Sequence, residues 1–218
     1  MTQLIDPTKL TNAVSKLRTF FMEKGFEEVH TQNRLSILAA CEDPFNVATY
    51  KYEGRVWPLP QTGQMWLEHE LLTKPSSKGF FCVSTSYRQE PNAIPGRHDT
   101  IFPMFEFESK GGIKELLKLE SDLLEYLGFE KEVEVKYEDV CEEYGGVPIL
   151  ENEHESKMWN EVSHCVSLQN FPLRTNPFWN MKHKENSIFN KVDVILYGQE
   201  TIGSAERSSN VEEMRNNF

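Results

Sequence analysis

Apolar residues recur at helical spacing from the start of the chain: Leu10, Val14, Leu17, Phe20 and Phe21 form one stripe between Asp6-Pro7 and Gly25. An N-cap carboxylate followed by proline opens a helix, and glycine takes the left-handed conformation that closes one. Phe26 to Thr31 has strand character, and residues 33–50 read as irregular. Thr49–Lys51 and Arg55–Leu59 predict a short hairpin about Glu53-Gly54, and Trp66 to Leu72 predicts a helix. Phe80 to Glu90 is the clearest strand: Phe81, Val83, Thr85 and Tyr87 face one side, with Cys82, Ser84, Ser86, Arg88 and Glu90 on the other. After a loop holding Pro91, Pro95 and Gly96, a second alternating strand puts Phe102, Met104, Glu106 and Glu108 on one face and Phe105 and Phe107 on the other. The two strands predict an antiparallel hairpin whose polar-bearing faces share a side.

Further along, Ile113–Leu127 is strongly amphipathic, and Tyr137–Tyr144 is a shorter helix stopped by Gly145-Gly146. Val192–Tyr197 predicts a strand, and Ser209-Asn210-Val211-Glu212 predicts a capping box that opens a last helix. No internal repeat or low-complexity tract interrupts the pattern. The expected fold class is α+β, an antiparallel β-sheet core flanked by helices, in one domain over residues 1–218.

Composition narrows the picture. The 218 residues carry 23 Lys plus Arg against 34 Asp plus Glu, a formal charge of −11, with a sequence pI of about 5.1. That balance disfavours a broad nucleic-acid surface, which needs cations to neutralise phosphates, but leaves room for a local basic pocket. Hydrophobic residues at 39% and aromatics at 11% supply a real core and exclude intrinsic disorder. No apolar run approaches the roughly 20 residues of a membrane span, and the N-terminus has no signal-peptide pattern. Cys41, Cys82, Cys141 and Cys165 are scattered and form no metal-binding pair, as in a reduced, cytoplasmic protein.

Two constellations carry candidate chemistry. Arg88 and Glu90 sit two apart, and so project from one strand face with Glu106; a guanidinium fork there can grip phosphate or carboxylate bidentately. Arg97 and His98 stand on the adjoining loop, placed to close over a polyanion. The alternative for this group is a solvated sheet face with cross-strand salt bridges. The second constellation is Asp193, Glu200 and Arg207, spaced seven apart. An odd spacing puts two carboxylates on opposite faces of a regular strand, so Gly198 is expected to mark a bulge that returns them to one face. Gly203-Ser204 is then expected to be a turn that folds Arg207 back over them. Such a pair offers hard oxygen ligands to Mg²⁺; the alternative is an exposed turn with scattered charges. Gln61-Thr62-Gly63-Gln64 adds an amide-rich segment at a helix entry. There is no P-loop, dinucleotide fingerprint or Ser or Cys nucleophile motif, so an ATP site would have to be built on strands.

Taken in order, these segments resemble the catalytic domain of the class II aminoacyl-tRNA synthetases, in the Asp/Asn/Lys subgroup. Leu17–Val29 is similar to the family's first motif, and Tyr87-Arg88-Gln89-Glu90 through Glu108 to its second. Asn176-Pro177-Phe178-Trp179 resembles the segment ahead of its late strands, and Asp193–Glu200 through Arg207 its metal-carboxylate strand. The resemblance implies an ATP-dependent ligase that makes an aminoacyl-adenylate. Arg88 would hold the α-phosphate and the amino-acid carboxylate. Glu90 would read the adenine amino group, Phe102 would stack on its ring, and Arg97 and His98 would reach the γ-phosphate. Asp193 and Glu200 would bind Mg²⁺. Thr62, Gln64 and Glu106 would surround the substrate ammonium, and Arg207 would grip an Asp- or Asn-like side chain.

Four departures from the family pattern qualify this. Gln32 replaces a proline of the first motif, whose helix and strand imply a homodimer, and Leu67 stands where aspartate enzymes carry a second cation. No anticodon-binding domain is expected in these residues, so tRNA as a partner has no support from domain content or charge. The family's Gly-rich third motif is not found in them either, and the chain is expected to be C-terminally incomplete. A catalytically inactive paralogue that binds nucleotide or amino acid is the alternative function.

Overall fold

The computed structural model describes residues 4–31, 38–89, 93–94 and 96–218. The chain divides into two compact units, residues 1–110 and 111–218.

The first unit holds helix α1 (Pro7–Glu23), strand β1 (Glu27–Glu28), the hairpin β2 (Thr49–Tyr52) and β3 (Arg55–Pro58), helix α2 (Gln64–Thr73), and strands β4 (Gly79–Tyr87) and β5 (Ile101–Ser109). The Asp6 side chain caps α1 by accepting from the Thr8 and Lys9 backbone N–H groups at 2.8 and 3.0 Å. β4 pairs antiparallel with β5 in unbroken register from Gly79 opposite Ser109 to Tyr87 opposite Ile101. β1 adds in parallel at the other edge of β4, so this sheet is mixed. The strand character expected through Thr31 is confined to Glu27–Glu28.

The two faces of this hairpin do different jobs. On one, Phe21 is fully buried among the rings of Phe20, Phe26, Phe81, Phe105 and Phe107, with centroids 4.9–5.9 Å away. Phe81 and Phe105 stack across the strands at 5.2 Å. Each such ring contributes about 2–3 kcal/mol of burial, and this cluster fixes α1 to the sheet. The opposite face carries Cys82, Ser84, Ser86, Phe102, Met104 and Glu106, because Cys82 pairs with Glu106 and Ser86 with Phe102. There α2 lays Leu67 and Leu71 over Phe80 and Cys82.

The second unit holds α3 (Ile113–Leu127), β6 (Val133–Lys136), α4 (Tyr137–Glu143), α5 (Asn152–Glu161), β7 (Cys165–Pro172), β8 (Ile188–Leu196), β9 (Gln199–Ala205) and α6 (Val211–Asn217). The strands form one sheet in the order β6-β7-β8-β9, antiparallel except for the parallel β6–β7 pair. One face packs Leu168, Phe171 and Ile195 with Tyr137, Val140, Cys141 and Met158 of α4 and α5. The other packs Cys165, Val194 and Leu196 against Leu124 of α3.

Several boundaries differ from expectation, and β4, expected to run to Glu90, ends at Tyr87. The strand expected at Val192–Tyr197 runs from Ile188 to Leu196. α6 is capped by Asn210, whose side chain accepts from Glu212 and Glu213 N–H; Ser209 does not cap it. No helix among the described residues is long and apolar enough to cross a membrane.

Candidate functional site

In the first unit, Glu106 is the centre of a hydrogen-bonded knot. Its carboxylate accepts from the Gly63 N–H at 2.8 Å, from Ser84 Oγ at 2.7 Å and from Thr62 Oγ1. Thr62 Oγ1 in turn accepts from the Gln64 N–H at 3.0 Å. The buried Gln64 amide donates to Glu108 Oε1 at 2.8 Å and accepts from Cys41 Sγ at 2.9 Å. The loop before α2 is tied to β4 by Ser86 Oγ, which donates to the Gln61 carbonyl at 2.7 Å. Burial pushes the Cys82 thiol well above its usual range, with the Glu106 carboxylate adding to the push, which leaves it an inert small hydrophobe. Thr62, Gln64 and Glu106 are therefore gathered by the chain's own hydrogen bonds.

Arg88 lies just past the end of β4, its N–H bonded to the Thr100 carbonyl at 2.8 Å. Its guanidinium stands over the Phe102 ring, 5.3 Å from the centroid, so the pair forms one cation–aromatic unit. Arg88 is therefore not on the strand face expected for it beside Glu106: the ladder ends at Tyr87, and Glu106 pairs with Cys82, six residues back along the chain, roughly 20 Å away at about 3.3 Å per residue. Arg97 and His98 are placed on a turn whose N–H groups bond the Ile94 carbonyl at 3.1 and 2.9 Å. Glu90 lies outside the described residues.

In the second unit, Asp193 and Glu200 come from paired strands. Tyr197 and Gly198 both take positive φ, 50° and 79°, and close a two-residue hairpin turn. Ile195 then pairs with Glu200, and because Ile195 is two residues from Asp193, both carboxylates share one face. Gly198 is thus the turn and not the bulge; the register shift lies at Val194/Ile195, which brings Gly203 opposite Asp193. Gly203-Ser204 is likewise strand, not turn. A β-carbon on Gly203 would lie 2.5 Å from Glu200 Oε1 and 3.6 Å from Asp193 Oδ1, so the missing side chain makes the space into which both carboxylates point.

Asp193 is 5% exposed. Its Oδ2 is ion-paired to Lys191, and its Oδ1 is buried with no hydrogen-bond partner among the described residues. Burial pushes its carboxyl above the usual carboxylate range; Lys191 pulls it down and Glu200 pushes it further up. Glu155 Oε2 accepts the Glu200 N–H at 2.9 Å. A cavity of about 370 Å³ opens here, lined by Lys191, Asp193 and Glu200 with Phe171, Arg174 and Phe178 among its walls. Arg207 bridges to Met181, and alternation puts it on the same face as Asp193 and Lys191. It does not line that cavity, and its Nη1 is buried with no hydrogen-bond partner among the described residues.

These residues fit a hard divalent cation. One orphaned carboxylate oxygen and a second carboxylate face the space above Gly203. Among the described residues no three His, Cys, Asp or Glu side chains converge on a metal position. Two carboxylates fill only part of an octahedron, the pattern of Mg²⁺ shared with water and phosphate oxygens. Sequence reasoning passed over Lys191, although a Lys-x-Asp pair on a strand necessarily shares a face. Ser84 and Glu155 were missed as well. Ser84 carried a signal in the Cys82-x-Ser84 alternation; Glu155 carried none, because its helix has no apolar stripe.

The sequence profile of the tRNA synthetases class II (D, K and N) matches residues 8–218. No curated protein sequence matches the chain. Asparaginyl-tRNA synthetase from Pyrococcus horikoshii, solved with asparaginyl-adenylate, superposes with a TM-score of 0.82 at 17% identity, over 96% of this chain and 55% of that one. The Entamoeba histolytica asparaginyl-tRNA synthetase in complex with asparaginyl-adenylate gives 0.79 at 18% identity, over 95% and 53%. The aspartyl-tRNA synthetase of the same organism gives 0.73 at 17% identity, over 95% and 46%. At these identities the likeness is one of fold, and the chain spans about half the length of the solved structures it matches.

Proposed function

The chain belongs to the tRNA synthetases class II (D, K and N), and from that premise we propose that it activates an Asp- or Asn-like amino acid with ATP, giving an aminoacyl-adenylate and pyrophosphate. The observation that carries this reading is the buried, half-satisfied Asp193 carboxylate facing Glu200 over Gly203. An unpartnered carboxylate oxygen in that setting costs stability unless a cation visits it. Structures of similar fold were solved with asparaginyl-adenylate, which supports the same chemistry here.

The reaction needs positioning more than covalent help. Attack of the amino-acid carboxylate on the α-phosphorus builds charge on the phosphoryl oxygens, and preorganised cations stabilise it. Arg88 supplies a fork for those oxygens, and Phe102 orients that fork and offers a ring face to the adenine. Arg97 and His98 serve the terminal phosphate, and Glu90 the adenine amino group. Thr62, Gln64 and Glu106 hold the substrate ammonium with lone pairs left over from their own knot. Arg207, with an unused buried N–H, grips the side-chain carboxyl or carboxamide. Asp193 and Glu200 would hold Mg²⁺, which when bound supplies charge neutralisation at the phosphates. The acceptor is a tRNA, as the family's name states, or a smaller amine such as ammonia; the net charge of −11 supplies no broad phosphate-binding surface for the former.

A second reading, a binding module without turnover, draws on the Lys191–Asp193 ion pair, which already neutralises the metal carboxylate. Amino-acid-dependent exchange of labelled pyrophosphate into ATP separates the two. Exchange with aspartate or asparagine that is lost in Arg88→Ala supports activation. ATP binding with no exchange for any amino acid supports the module.

A further inference from the structure

Lys191 is an unusual neighbour for a metal carboxylate. It stands two residues before Asp193 on β8, on the same face, opposite the small Ala205. Its side chain is only 21% exposed, and its ammonium is anchored twice: by the ion pair to Asp193 Oδ2, and over the Phe171 ring, 3.8 Å from the centroid. Both Asp193 and Phe171 are buried, so the charge is held where solvent screens it little. Asp193 Oδ1 is left without a hydrogen-bond partner among the described residues, and Glu200 Oε1 stands across the Gly203 gap.

Resting on the adenylate-forming reading above, we propose that Lys191 sets how tightly the Asp193–Glu200 pair takes a divalent cation. Its ammonium stands in for that cation at Asp193 until a polyphosphate arrives. The Lys191 ammonium cancels one of the pair's two carboxylate charges, and a dication entering beside it meets a fixed like charge. A nucleotide brings the missing negative charge together with the missing oxygen ligands. The pair therefore fills with metal in company with nucleotide and stays largely empty of it otherwise, which protects the site from occupation by metal alone. Lys191 is a positioning residue in this scheme: it acts through Asp193 and need not touch substrate.

The test is Mn²⁺ binding to the 218-residue chain, followed by electron paramagnetic resonance of the free ion, with and without a non-hydrolysable ATP analogue. Lys191→Met keeps the aliphatic stem and removes the charge, and Lys191→Arg keeps a charge. The expected result is at least tenfold tighter nucleotide-free Mn²⁺ binding in Lys191→Met, no such gain in Lys191→Arg, and loss of the gain when Asp193→Asn is added. The analogue should tighten Mn²⁺ binding by a smaller factor in Lys191→Met than in the parent. Lys191→Gln gives the same reading should the methionine chain unfold. Equal affinity of parent and Lys191→Met at a site that depends on Asp193 overturns the role of Lys191 and leaves the metal reading standing. Binding indifferent to Asp193→Asn overturns both.

Discussion

Gly203 sits directly opposite Asp193 across the β8–β9 ladder, and a β-carbon there would stand 3.6 Å from Asp193 Oδ1 and 2.5 Å from Glu200 Oε1. The closer of these atoms is the end of a flexible side chain, so an added methyl displaces the carboxylate and leaves the backbone in place. Gly203→Ala is therefore expected to leave the melting temperature within about 2 °C of the parent, since the shift is local and cheap. It should weaken Mn²⁺-dependent ATP-analogue binding by about tenfold, a loss of roughly 1.4 kcal/mol. Calorimetric titration beside a thermal melt checks both halves.

The Glu106 knot makes a different demand. Three donors, from Thr62, Gly63 and Ser84, converge on one carboxylate. Glu106→Gln puts an NH₂ group where a donor already points, and a buried donor left unpaired costs about 1–3 kcal/mol. Urea unfolding should show a loss of about 2 kcal/mol, against about 1 kcal/mol for Ser84→Ala, which removes one donor and leaves the acceptor served.

Glu120 of α3 supplies the pH dependence. It is buried behind the β8–β9 hairpin, where Ser204 Oγ donates to its Oε1 and its Oε2 has no hydrogen-bond partner among the described residues. Burial raises its carboxyl to about 7, the Ser204 hydroxyl acts in the opposite direction, and Asp193 and Glu132 add to the rise. The folded chain thus binds this proton more tightly than the unfolded chain, whose reference value is 4.5. The stabilisation is fully present below that value and is lost as pH rises through about 7. Glu120→Gln keeps an acceptor for Ser204 and abolishes the titration. Its stability should exceed the parent's by up to about 3 kcal/mol at pH 8, and the difference should shrink toward zero near pH 4, as denaturant midpoints across pH would show.

Asp6 carries the first turn of α1 on two backbone hydrogen bonds. Asp6→Ala should cost about 1 kcal/mol, read as a lower urea midpoint at unchanged slope.

What could be read from the sequence follows from how local each signal is. The Asp6-Pro7 cap, the Phe81/Cys82 alternation of β4 and the leucine stripe of α3 are short-range patterns, and all three elements form where they point. β7 is buried on both faces along most of its length, so Cys165-Val166-Ser167-Leu168 has no alternation to betray it. α5 buries only Met158, and a helix with one buried side chain shows no stripe. β9 is Gln-Glu-Thr-Ile-Gly-Ser-Ala, a sequence with turn-like composition that becomes a strand because β8 supplies its hydrogen bonds. The candidate carboxylates and their shared face were both expected; the device was not, because it is the Tyr197-Gly198 turn and cross-strand pairing, and no bulge at Gly198, that bring them together. Lys191 was hidden by a strand start set at Val192, four residues too late.

The most direct measurement is trapping of the activated amino acid. The chain is incubated with ATP, Mg²⁺, hydroxylamine and aspartate or asparagine in turn, and the products are read by mass spectrometry. The expected result is an amino-acid hydroxamate formed in step with AMP and pyrophosphate, and abolished by Arg88→Ala and by Asp193→Asn. Tight ATP binding with neither AMP nor hydroxamate, for any amino acid offered, would contradict activation and leave a binding module in its place.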